Sequence, residues 1–266
     1  MNQVVLGALF AGGLFLGILL MMQLGRYVRV RLSDKDIEST SAGLTALEGA
    51  LFGLMSLILA FCFSGAGLRF DARRQLIIEE ANCIGTAYLR LSLLPTQAQQ
   101  DLQEKFRQYV DARLDAYRVL PDLAKAKAEI ARAAAIQGEI WTRAIEASQR
   151  MDSLQVTVLV LPALNAMFDI ANTRYWATQI HPPPFVFWLL GVLILIFSLL
   201  AGFDMGDGKA RSWIHVVSFA VLLAITFYAI VDLEFPRLGL VQVKNFDQAL
   251  VDVRNNMGAG TATIIK

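Results

Sequence analysis

Four stretches without a single Asp, Glu, Lys or Arg decide what this chain can fold into: Val4 to Met22, Gly49 to Leu68, Phe185 to Phe203 and Trp213 to Val231. Each is about 20 residues long, the length at which a helix spans roughly 30 Å of hydrocarbon. Hydrophobic residues make up 56% of the chain and charged residues only 18%, and most of the charges lie between Arg69 and Arg174. Apolar spans therefore bracket one polar middle. The expected fold class is all-α: four transmembrane helices with a helical extramembrane body inserted between the second and third spans. The boundaries read as 1–68 for the first two spans and a short basic loop, 69–183 for the body, 184–233 for the last two spans, and 234–266 for a tail on the same side as the body.

A formal net charge of +1 offers no attraction for nucleic acid or another polyanion. Cys62 falls in the second stretch and Cys83 beyond it, both read as small buried hydrophobes rather than a disulfide or ligands. The first stretch has no basic residue ahead of it and no small-x-small cleavage site after it, so it is expected to be retained. Arg26, Arg29, Arg31 and Lys35 follow it and vote for a cytoplasmic loop; the count over the whole chain balances, so orientation stays open. His181 and His215 are too few to supply a metal site, no nearby Cys or carboxylate stands at ligand spacing, and no nucleotide loop, hydrolase elbow or paired catalytic carboxylates occur. The expectation is no enzyme, no metal and no cofactor.

The polar middle shows apolar positions at three- and four-residue steps, the period of helices. A first segment, Phe70 to Leu93, places Ile77, Ala81, Ile84, Tyr88 and Leu91 on one face; no proline or turn cluster divides it from the second span, so the two read as one long helix. After Pro95 and Thr96 comes a stripe of Leu102, Phe106, Tyr109, Val110, Leu114 and Tyr117. Pro121 suits a first helical turn. The alanine-rich helix from Leu123 to Arg150 is expected to bury Ile130, Ala134, Gln137, Trp141 and Ile145. The next is expected to bury Leu154, Val158, Leu161, Asn165, Phe168 and Tyr175, with a kink at Pro162. Pro182 to Pro184 form a stiff joint before the third span. Gly202, Gly206 and Gly208, with Asp204 and Asp207, read as the turn between the last two spans.

The second span carries the most suggestive local pattern. Gly49, Gly53, Ser56, Ala60, Ser64 and Gly67 recur at steps of four, three, four, four and three, one continuous face of small residues. Small residues let helices approach closely in lipid, and they also leave room around an aqueous path. Gly13 and Gly17 repeat the step in the first span. Thr45 and Glu48 read as a capping box ahead of the second span. Four uncharged spans give a monomer no water-filled route of its own, so a pore would form between subunits of a cyclic homo-oligomer. The pore-lining candidates are Gly49, Gly53, Ser56, Ala60, Phe61, Phe63 and Ser64, the two aromatics standing as a hydrophobic constriction or as ordinary lipid and helix contacts.

Three runs carry a resemblance. Phe63-Ser-Gly-Ala-Gly-Leu-Arg-Phe-Asp-Ala-Arg-Arg-Gln-Leu-Ile-Ile-Glu-Glu-Ala-Asn82 is followed by Ile84-Gly-Thr-Ala-Tyr-Leu-Arg90. Leu161-Pro-Ala-Leu-Asn-Ala-Met-Phe-Asp-Ile-Ala-Asn-Thr-Arg174 and Asp232-Leu-Glu-Phe-Pro-Arg-Leu-Gly239 come later. Together they resemble the bestrophin-like family of bacterial membrane proteins, distantly similar to bestrophins, which are pentameric anion channels with a hydrophobic neck on the second span and a cytoplasmic helical body. The resemblance implies a multi-pass protein of the bacterial inner membrane, a cytoplasmic body, a pentamer as the form of the ring, and small inorganic ions as cargo. No acidic cluster rich enough for a calcium clasp follows the fourth span.

Charged residues of these runs have two readings. Arg69, Asp71, Arg73, Arg74, Glu79 and Glu80 can pair along their helix or meet lipid phosphates, or become rings at a vestibule in an assembly. Asp232, Glu234 and Arg237 are expected to form a structural corner tied to the body through Arg74 or Arg174. Two functions follow: an ion channel with an axial pore lined by the second span, or a non-conducting scaffold or sensor whose helical body binds a ligand or partner.

Overall fold

The computed structural model describes residues 3–31, 41–151, 153–205, 213–237, 240–241 and 243–258. Among them the regular structure is entirely helical, with no strand. Helix α1 covers Gln3–Arg31, α2 Ser41–Arg90, α3 Thr96–Arg118, α4 Leu123–Arg150, α5 Leu154–Ala177, α6 Pro184–Asp204 and α7 Trp213–Glu234. Short 3-10 turns follow at Leu91–Leu93 and Lys244–Asp247, the latter leading into α8, Gln248–Asn256. Five helices are long and apolar enough to cross a membrane: α1, α2, α5, α6 and α7. Four spans are expected from the sequence, with α5 in the body; by length and composition α5 is a fifth candidate.

The chain divides into two compact units, residues 1–70 with 181–241, and residues 71–180 with 242–266. Helix α2 is unbroken across the first boundary, as the absence of any breaker between the second span and Phe70 implied. Its N-terminus lies upstream of the expected capping box: Thr45 and Glu48 both fall inside the helix. At α4 the cap is Asp122, whose carboxylate accepts from the Lys125 amide at 3.1 Å, and Pro121 stands outside the first turn rather than in it.

In the first unit α1 packs against α6 and α7, around Ile18, Met22, Met55, Leu190, Ile194, Ala220 and Phe227. The α1/α6 approach depends on two glycines. A Cβ at Gly25 would stand 2.0 Å from the Leu199 carbonyl oxygen, and one at Gly202 would stand 2.1 Å from that of Met22. Gly202 is thus a buried packing residue inside α6 and not a turn glycine; Gly206, Asp207 and Gly208 lie outside the described residues. Close approach through small residues supplies the packing that hydrophobicity cannot supply in lipid. Two hydroxyls in this unit are satisfied on their own helices, Ser198 by the Ile194 carbonyl and Thr226 by that of Leu222.

In the second unit α3 and α4 form an antiparallel pair, with α5 against α4 and α8 against α3. Its core contains Ile84, Leu91, Leu102, Phe106, Tyr109, Val110, Ile140, Leu164 and Met167, all without exposed surface. The α2 and α3 stripes fall as expected, except that Tyr117 is only half-buried. Those of α4 and α5 do not. Helix α4 buries Ala126, Ala133, Ile136, Ile140, Ala144 and Ala147, while Ala134 is exposed and Gln137, Trp141 and Ile145 sit at the flank. Its alanines face the neighbouring helix because a short side chain allows close packing. Helix α5 buries Val160, Leu164, Met167, Ile170 and Arg174, whereas Leu154 is 77% exposed and Val158 59%. It is apolar on all sides, so hydrophobicity fixes its helical character without fixing its phase. Cys62 and Cys83 are free and half-buried at the edges of the two cores.

Candidate functional site

Two features of α2 gather the predicted site residues: an open small-residue face in its apolar stretch, and a dense set of charges after it. In the apolar stretch the side that packs within the chain carries Met55, Ala66 and Phe70, with Ile58, Leu59 and Cys62 half-buried beside them. The small face lies elsewhere. Gly49, Gly53, Ser56, Ala60 and Ser64 are all exposed, and a Cβ built at Gly49 or Gly53 meets nothing within 4 Å. Gly13 is equally open, whereas Gly17 packs against the Leu195 side chain. Phe61 is 67% exposed and Phe63 50%. Being two residues apart, these aromatics project about 160° apart around the helix axis, given 3.6 residues per turn. Only Phe63 borders the small face; Phe61 belongs with Leu54, Leu57 and Leu68 on a large apolar one, all exposed.

The charges after Leu68 resolve into three constructions. In the first unit Glu234, without exposed surface, receives Arg69 Nε at 3.0 and 2.9 Å on its two oxygens and Arg69 Nη2 at 2.9 Å. His181 Nδ1 lies 3.1 Å from Oε1 of the same carboxylate. That nitrogen carries the proton, since a carboxylate only accepts; the ring stacks on Phe235 with centroids 4.7 Å apart. Asp232 accepts from the amides of Leu240 at 2.8 Å and Val241 at 2.7 Å, fixing the chain after α7. Arg69, His181 and backbone amides therefore hold the corner expected at Asp232 and Glu234. Arg237, on the same turn, is half-buried.

In the second unit Glu80 is buried between two arginines. Arg113 Nε donates to its Oε1 at 2.6 Å, Arg174 Nη1 donates to its Oε2, and Arg174 Nη2 reaches Asp247 at 3.1 Å. Both guanidiniums lie over the Tyr117 ring, at 4.2 Å for Arg174 and 5.7 Å for Arg113. Burial works against the charge on Arg113, yet Tyr117 and Glu80 outweigh it and hold the group above its ordinary range. Burial pushes the Tyr109 phenol up, and it stays neutral, accepting from Gln137 Nε2 at 3.2 Å. This network ties α2, α3, α5 and the segment before α8 together, and nothing in the periodicity announced it; Arg113 and Asp247 stand among other polar residues and carry no motif.

The third construction is peripheral. Arg73, 7% exposed, caps the end of α5 by donating to the carbonyls of Ala177 at 3.1 Å and Ile180 at 2.9 Å. Arg74 pairs with Asp71 at 3.2 Å and lies over the Phe246 ring at 4.5 Å. Glu79 is exposed. A groove of about 770 Å³ runs between α3 and α4, lined by Asp101, Glu139, Thr142, Arg143, Glu146 and Arg150 among others. Among the described residues no group of three or more His, Cys, Asp or Glu side chains could hold a metal ion.

Residues 12–245 match the family model described as Bestrophin-like domain. No curated protein and no solved structure matches the chain.

Proposed function

Since the chain belongs to the bestrophin-like family, a set of membrane proteins, we propose that it is an ion channel whose pore forms on the axis of a cyclic homo-oligomer and is lined by α2. The observation that carries this reading is the open small face. Close packing inside the chain uses Gly17, Gly25 and Gly202, while a Cβ at Gly49 or Gly53 meets nothing within 4 Å and Ser56, Ala60 and Ser64 are exposed. Small residues left unpacked suit either a neighbouring copy or a water-filled axis, and a ring provides both. Phe63 is the constriction candidate on that face; Phe61 points to lipid or to the next subunit.

In this reading four helices cross the membrane, α1, the apolar half of α2, α6 and α7, and α5 belongs to the body. Burial of its Arg174 against Glu80 and Asp247 supports that placement, because ion pairs of this kind are costly to carry into hydrocarbon. The protein sits in the inner membrane of a bacterium with the body in the cytoplasm, and the ring is a pentamer. A non-conducting sensor is the second reading, favoured by the groove between α3 and α4.

The mass of the detergent-solubilised complex, by native mass spectrometry, tests the proposal. A ring of about five chains supports it; a monomer or dimer removes the axis and leaves the sensor. Orientation is tested by Ala131→Cys, exposed on α4, in a chain whose two native cysteines are replaced. Labelling from outside intact cells by an impermeant thiol reagent would place the body on the other face.

A further inference from the structure

We propose that Glu48 and Asp204 form a proton-operated latch, which fixes the start of α2 to the end of α6 while the two carboxyls share a proton and releases it when that proton is lost. Glu48, expected in a capping box, is hydrogen-bonded to the Asp204 side chain. Each is the single charged residue of its segment: no other Asp, Glu, Lys or Arg occurs in 41–68 or in 184–204. An ionised carboxylate only accepts, so one of the two carries the proton of that bond. Two carboxylates this close resist ionising together, and the proton belongs to the pair.

The bond closes one end of an antiparallel packing inside the first unit. One turn further along α2 the Phe52 ring lies 4.9 Å from that of Phe197, and Met55 is 2% exposed in the same core as Leu190 and Ile194. Those apolar contacts are indifferent to pH. Glu48 is half-buried and Asp204 exposed, so water reaches the shared proton. Helix α1 brings Arg26, Arg29 and Arg31 to this end, Arg29 with its guanidinium 5.5 Å from the Phe203 ring centroid, and α7 starts there with His215 in its first turn. Among the described residues Asp204 is the charge that acts on Glu48. When the proton passes to water, the hydrogen bond becomes two facing negative charges, and the first turns of α2 lose their tie to α6. Helix α2 carries the open small face, so acidity holds its outer end in place and alkalinity frees it, whether or not the axis conducts.

Hydrogen exchange of residues 45–52 in the full chain in detergent, corrected for the intrinsic rate at each pH, reads the latch directly. Protection is expected to fall about tenfold between about pH 5 and about pH 8, the scale of repulsion between two like charges near a protein surface. Glu48→Gln should abolish the fall, because its amide donates to the Asp204 carboxylate at either pH. Asp204→Asn should do the same from the other side. His215→Gln, which removes the imidazole at this end, should leave the fall as in the parent. A parent whose protection does not change with pH overturns the latch, and so does a fall that survives both Glu48→Gln and Asp204→Asn or that disappears in His215→Gln. The readout needs no ion flux, so failure of the channel reading and failure of the latch are separate results.

Discussion

At the residue scale the sharpest contrast is between glycines that are filled and glycines that are open. Gly25 and Gly202 leave no room for a methyl group, their would-be Cβ atoms falling on backbone atoms of the facing helix. Gly25→Ala or Gly202→Ala forces α1 and α6 apart, and overpacking of this kind costs about 1–3 kcal/mol or more. Folded yield in detergent, read by size exclusion, should fall sharply for both and stay at the parental level for Gly53→Ala, whose Cβ meets nothing. Equal losses at all three would refute the assignment of α2's small face as open. Glu80 offers a second test. Replacing it with alanine strands Arg113 and Arg174, both under 5% exposed, and breaking a buried pair from one side costs about 3–5 kcal/mol. Chemical unfolding of the purified protein should show a loss of that size, against less than about 1 kcal/mol for Glu129→Ala, which pairs with the exposed Arg132 on the same helix. A Glu80→Ala variant as stable as the parent would show that the network is incidental.

At the scale of elements, α8 joins the rest of the second unit through polar contacts around an apolar anchor. Arg254 meets Asp111 with two bonds of 2.8 and 2.9 Å, Tyr88 Oη donates to the Met257 carbonyl at 2.8 Å, and Leu250 is the fully buried anchor. Arg254→Ala should cost about 1 kcal/mol or less, because both partners are partly exposed, while Leu250→Ala should cost about 2–5 kcal/mol; hydrogen exchange of 248–256 reads the difference. Arg254→Ala as damaging as Leu250→Ala would put the anchor in the wrong place. The tail read from the sequence thus carries a helix that completes a core, and its short amphipathic pattern was too brief to say so. Helix existence was legible nearly throughout, because 3.6-residue periodicity and proline positions set it: α4 begins and ends where the pattern placed it, and α5 runs through Pro162. Which face each helix buries was legible only where polar residues alternate with apolar ones. In α3 the apolar stripe is unambiguous. In α5 apolar residues stand on every side, and in α4 alanine is compatible with either face, so the packing partner decided. The candidate site divides in the same way: the small face is a sequence pattern, whereas the partners of Arg69, Glu80 and Glu234 are long-range pairings that spacing cannot reveal.

At the scale of the whole molecule, two units share one continuous helix and a family whose model covers most of the chain. The open small face has meaning only if other copies of the chain complete it. Its direct test is chemical modification of Ser56→Cys, with Cys62 and Cys83 replaced, in reconstituted liposomes. The account predicts that a water-soluble thiol reagent reacts there and blocks ion flux, while the same reagent leaves flux intact in Leu57→Cys, which lies on the large apolar face and is 51% exposed in the single chain. A Ser56→Cys protein that conducts and is left unblocked, or one blocked no more than Leu57→Cys, would contradict an axis lined by α2.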